Sequence, residues 1–176
     1  PENIAASWKK SAECGVDASS TVLPGKLNRD VLTNVIVQLN VRDSYFYDAE
    51  AKMLDYLGAA IVFVDDHLDV FAIRGSRALK DELRAKNFRF GSNLAGSRVG
   101  TNAIALAFES GQENWVYGSE HYIDALKDYV CVAICPQVAK PDRVGIVFPC
   151  MIIVPRVRYY DGMKPIFSYI LKTHMY

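Results

Sequence analysis

The apolar positions of this chain change their period from segment to segment, and the changes mark its elements. Residues 3–13 set Ile4 and Trp8 on one helical face before Gly15 ends the run. After a loop carrying Pro24 and Gly25, Asn28 is placed to cap a long helix. Its stripe is Val31, Leu32, Val35, Ile36 and Leu39; the helix breaks near 40–44, resumes from Tyr45 to Leu57, and closes at Gly58. The period then shortens. Residues 58–75 read as two strands around an acidic turn at Asp65 and Asp66, a hairpin.

Strong helix formers at 78–87 predict a surface helix, and 88–96 reads as loop or strand end. A helix over 101–109 is capped by Thr101 or Asn102 and stopped by Gly111. Residues 113–118 form a strand with Trp115 and Tyr117 on one face, and 119–128 a helix opened by a Ser119 cap. Residues 129–139 and 143–155 are two further strands joined by the turn 139–142. Proline gives no N–H to a sheet ladder, so Pro149 implies an edge or a bulge. A last helix, 162–175, has Ile166, Phe167, Ile170 and Leu171 as its apolar face. Short connections between paired strands predict an α+β domain, an antiparallel sheet of five or six strands with helices packed on its faces.

Composition narrows the function classes. The 176 residues suffice for one domain that buries roughly 70% of its unfolded surface. We expect residues 1–57 to be a helical packing and dimerisation segment and 58–176 the core with its C-terminal helix, within a single domain overall. Twenty basic residues offset twenty acidic ones, which speaks against direct nucleic-acid binding by this domain. The apolar stretch 144–155 is interrupted by proline and is too short for a membrane span. The chain opens without Met or a targeting segment and reads as a fragment of something longer. The apolar stripes of the first and last helices, with little sequence left to cover them, predict a homodimer.

Cys14, Cys131, Cys135 and Cys150 include no closely spaced pair on a turn, so buried thiols in a reducing cytoplasm are the expectation and no metal or cofactor is expected. A redox or metal sensor built on Cys131, Cys135 and Cys150 stands as an alternative.

Residues 99–122 concentrate the chemistry: a Gly-Thr-Asn turn, a short apolar helix, and Gly-Ser-Glu-His-Tyr. Thr101 and Asn102 read as caps, and a helix N-terminus also binds anions or carbonyls. His121 in a first helical turn would have its pKa lowered by the dipole, leaving a neutral imidazole that donates and accepts. The other reading of His121 is an exposed or core-satisfied side chain.

Together with residues 7–17, the segments Val-Gly-Thr-Asn-Ala-Ile and Trp-Val-Tyr-Gly-Ser-Glu-His-Tyr resemble the GAF-type sensory domain of sigma-54-dependent transcriptional activators. That group includes the acetoin and dihydroxyacetone operon regulators, and the similarity covers most of residues 3–147. The resemblance implies a GAF-like fold, a small-molecule effector, and an attached AAA+ ATPase and DNA-binding domain. Two departures stand out: Cys135 directly precedes Pro136, where the family commonly spaces cysteine from proline, and Phe148-Pro149-Cys150 replaces a glycine-containing strand.

The expected effector pocket has walls from Phe88, Phe90, Trp115, Tyr117 and Tyr122. Thr101, Asn102, Glu120 and His121 supply the polar groups, and Cys131 and Ala133 the floor. Rings outnumber polar groups, so the effector expected there is apolar or aromatic with one or two polar groups. No nucleophile elbow, phosphate loop or metal motif is present, and the chain is not expected to be an enzyme. The other alternative is a docking module for a partner protein.

Overall fold

The computed structural model describes residues 2–25, 28, 44–135 and 148–174. The stripe Val31–Leu39, the break near 40–44 except for Ser44, the end of the strand expected to 139, the turn 139–142 and the first residues of the strand expected from 143 lie outside them. Helix α1 is Glu2–Glu13 and α2 is Ser44–Tyr56. The hairpin follows as β1, Ala60–Val64, and β2, Val70–Gly75. Then come α3, Arg77–Ala85, the single turn α4, Gly96–Val99, and α5, Ala103–Ser110. Strands β3, Asn114–Tyr117, β4, Tyr129–Ile134, and β5, Cys150–Pro155, precede α6, Lys164–Thr173.

The five strands form one antiparallel sheet in the order β2-β1-β5-β4-β3, with helices on both faces, so the α+β architecture is as expected and is consistent with a GAF-like fold. Central β1 and β4 are buried throughout and β5 in all but its last residue, Pro155, as strands covered on both sides must be. Alternation sorts their side chains into two cores. Val62, Cys131, Ala133, Met151 and Ile153 face an inner core with Leu79 and Leu83 of α3 and Ile104 of α5. Ile61, Val130, Val132, Ile152 and Val154 face an outer core with Leu54 of α2 and Phe167, Ile170 and Leu171 of α6.

The apolar stripes of the first and last helices pack on the chain's own sheet. Ile4 packs into the inner core and Phe167, Ile170 and Leu171 into the outer, on opposite faces. Helix α1 places Ile4 in the inner core and α2 places Leu54 in the outer. Two expectations are corrected here. Pro149 lies neither on an edge strand nor in a bulge of its own strand. It stands one residue ahead of central β5, and its carbonyl accepts from Val64 N–H at 3.1 Å, beside the register shift between Phe63 and Val64.

The second correction is the helix expected over 119–128, which is absent. Gly118–Glu120 and Asp124–Leu126 are separate 3₁₀ turns with extended residues between them. The N–H groups a helix would use go elsewhere. Tyr122 donates to Thr101 (3.1 Å), Asp124 to Ala18 (2.9 Å) and Ala125 to Ser20 (2.8 Å). Helix propensity yields to these long-range bonds. Among the described residues no helix is long and apolar enough to cross a membrane.

Candidate functional site

Asn102 is the cap of α5, with Oδ1 accepting from Ala105 N–H at 3.0 Å. Its Nδ2 donates to the carbonyls of Leu94 and Gly100, both at 2.9 Å. Of the two candidate caps, Asn102 is the one, and the amide is fully spent. Thr101 turns the other way and donates to Ser7 Oγ of α1 at 2.7 Å. Gly100, just ahead of them, is obligatory. Its φ is +70°, and a Cβ there would meet Tyr122 Cβ at 2.5 Å.

The Gly-Ser-Glu-His-Tyr segment wraps against this turn. Glu120 accepts from Tyr117 N–H through Oε2 at 2.8 Å, and its own carbonyl accepts from the Trp8 indole at 2.8 Å. His121 is completely buried. Its Nδ1 lies 3.0 Å from the Gly118 carbonyl, which only accepts, so Nδ1 carries the proton. Nε2 is left as a bare lone pair, shielded from solvent and without a hydrogen-bond partner among the described residues. Burial pushes the imidazole pKa down to about 4, against a smaller opposing contribution from the Gly118 hydrogen bond. The neutral ring was expected, but desolvation rather than a helix dipole is the cause.

The sheet divides the expected pocket. Phe88, Thr101, Asn102, His121, Tyr122, Cys131 and Ala133 are buried. Phe88, Tyr122, Cys131 and Ala133 belong to the inner core, and half-buried Glu120 borders it through the Trp8 contact. Phe90, Trp115 and Tyr117 pack on the outer core, across the sheet. A single pocket with all five aromatic walls is therefore not formed. The inner group is instead covered by α1, whose Trp8 ring meets Tyr122 edge-on at 5.2 Å. An open cleft of about 330 Å³ runs between α1 and α5, lined by Ser7, Lys10, Leu106 and Glu109 among others.

The outer group has partners that the sequence reading missed. Trp115 and Tyr117 stack at 5.9 Å, Tyr159 joins them, and the Lys164 ammonium lies over both β3 rings. Hydrogen bonds with Tyr117 and Asp161 hold that ammonium above the usual lysine range. Tyr159 follows a strand in a stretch rich in arginine, and no local pattern ties it to β3.

Cys135 lies near enough to Cys150 for the two to interact electrostatically, but the three thiols do not share one face. Cys131 and Cys135 face the inner core and Cys150 the outer. Burial pushes the Cys131, Cys135 and Cys150 thiols up, away from thiolate chemistry. Among the described residues no three His, Cys, Asp or Glu side chains group as a metal would require.

No family model matches the chain. A curated relative, an uncharacterized 47.3 kDa protein in the thcA 5′ region of Rhodococcus erythropolis, is 32% identical over 76 residues, 43% of this chain and 17% of that protein. Among solved structures, a chain in the crystal structure of the E. coli DhaR(N)–DhaL complex superposes with a TM-score of 0.76 at 18% identity. The match covers 98% of this chain and 58% of that one. Both relatives are longer, and the structural likeness is one of fold.

Proposed function

We propose that this chain is the sensory domain of a sigma-54-dependent transcriptional activator and that its input is a small, largely apolar or aromatic effector with one or two polar groups. The observation that carries the reading is the bare Nε2 of His121. A buried lone pair without a donor costs about 1–3 kcal/mol, and an O–H or N–H group of a bound molecule recovers it. The surrounding inner core supplies apolar contact. Helix α1 covers this region, so an effector that favours one placement of α1 shifts its population and passes the signal on. The motif resemblance and the fold shared with a chain of the DhaR(N)–DhaL complex support the same reading. An attached AAA+ ATPase and DNA-binding domain, a cytoplasmic setting, and the absence of a catalytic role for this domain belong to the proposal.

The solved neighbour being a two-protein complex favours a second reading, a docking module for a partner protein. The redox alternative has less support, because its thiols lie on opposite faces and are raised in pKa.

A thermal-shift screen against small neutral metabolites, with and without reductant, tests the effector reading. The expected result is a compound that raises Tm in the native chain and not in His121→Phe. A compound that stabilises both equally, or a screen without any stabilising compound, overturns it and leaves the docking reading.

A further inference from the structure

On the outer face, three half-buried aromatic rings form a triangle at the border of the outer core. Val116, between Trp115 and Tyr117, is the β3 residue that fills the inner core. Trp115 and Tyr117 lie nearly parallel at 14°, and Tyr159 stands 5.8 Å from Tyr117 at 68° and 6.2 Å from Trp115 at 56°.

Their orientations are fixed from both sides. Glu113 Oε1 accepts from Trp115 Nε1 at 2.8 Å and from Ser168 Oγ of α6 at 2.7 Å. Asp161 Oδ1 accepts from Tyr159 Oη at 3.2 Å. Negative ring faces flanked by two carboxylates attract an organic cation, most strongly where one ring is an indole.

One cation is already there. Lys164 Nζ lies 5.4 Å from the Tyr117 centroid and 5.9 Å from that of Trp115, and 3.3 Å from Asp161 Oδ1. Besides its Tyr117 contact, it is held by an ion pair in which the Lys164 side chain is 46% exposed and the carboxylate partner 85% exposed, the kind of pair that contributes little.

We propose that Trp115, Tyr117 and Tyr159 form a binding site for a small organic cation with an alkylammonium head group, and that Lys164 is a resident occupant which the incoming cation displaces. Lys164 is the first residue of α6, so occupancy is read at the start of the last described helix. The site lies across the sheet from His121 and does not depend on the effector reading.

Choline chloride is the probe, titrated against matched sodium chloride and followed by the Trp115 indole N–H resonance. Its neutral isostere, 3,3-dimethylbutanol, is the control. In Lys164→Met we expect saturable binding at least about fivefold tighter than in the native chain, with no saturable response to the alcohol. Lys164→Gln, which keeps a polar side chain without the charge, is expected to repeat the gain. Tyr159→Leu on the Lys164→Met background is expected to lose it. No saturable choline shift in either Lys164 variant with the rest of the spectrum unchanged, or an equal response to the alcohol, overturns the site.

Discussion

The Trp8 indole donates to the Glu120 carbonyl at 2.8 Å, across 112 positions of sequence. The same ring meets Tyr122 edge-on and carries the Lys127 ammonium 5.7 Å above it. One side chain of α1 thus engages three groups of the segment that follows β3. The Gly-Ser-Glu-His-Tyr motif is thereby packed against the N-terminal helix.

Trp8→Phe keeps most of the packing and loses the hydrogen bond, at about 1 kcal/mol. Trp8→Ala removes the ring, and for a half-buried side chain the cost is about 2–3 kcal/mol. Urea denaturation measures both. Hydrogen exchange should show residues 2–13 losing protection first; uniform loss across the sheet would mean that Trp8 does not fasten α1 in particular.

Asn102→Ala should be costlier. It removes a cap, worth about 1 kcal/mol, and leaves the Leu94 and Gly100 carbonyls without their donor in a buried setting. We expect a total of about 3 kcal/mol or more in chemical denaturation. Thr101→Val, which loses the Ser7 hydrogen bond and the longer Ser11 contact at 3.5 Å, should cost about 1 kcal/mol. Equal losses in the two variants would count against this division of labour.

Much of this architecture is legible in the pattern of apolar positions. The hairpin, α3 with its buried Leu79 and Leu83, α5 and α6 all stand where periodicity places them, give or take a residue or two. The candidate pocket was less legible, for a reason of register. Alternation put Trp115 and Tyr117 on one face but could not say which. Cross-strand partners share a face, and Cys131 pairs with Val116 rather than with Trp115, whose partner is Val132. A difference of one position moves both aromatic rings to the other side of the sheet. The false helix at 119–128 has a similar origin, since its backbone donors are claimed by residues 18, 20 and 101, which no local window contains.

Thiol chemistry separates the cysteines. Cys14 is exposed, whereas Cys131, Cys135 and Cys150 are buried, with burial holding their thiols up. Native protein treated with a water-soluble disulfide reagent should lose one thiol quickly, at Cys14, and the other three on the timescale of unfolding. Fast modification of Cys131 or Cys150 in the folded protein would revive the redox reading. Cys131→Ala with Cys135→Ala should weaken effector binding by less than about tenfold, or ~1.4 kcal/mol.

Acid should find His121. In the unfolded chain this imidazole takes up a proton below about 6.5, its ordinary value, while in the fold burial keeps it neutral down to about 4. The unfolded state therefore binds more protons across that window, and stability falls as pH drops from 6.5 to 4, by about 3 kcal/mol at the lower limit. Above 6.5 the group contributes no slope. Glu50 acts further down the scale. Burial alone would raise its carboxyl, but hydrogen bonds from His174, at 2.8 Å, and Thr173 outweigh it and hold the pKa below the usual 4.5. Stability from that group is present above 4.5 and is lost as pH falls through the lowered value. The two are separable by variant. In urea midpoints taken from pH 7 to pH 4, His121→Gln should flatten the upper part of the decline, while Glu50→Gln should leave it and change only the lowest points. The same slope in His121→Gln as in the native chain would mean that the ring is hydrated in solution. The bare Nε2 on which effector recognition rests would then already have water as its partner.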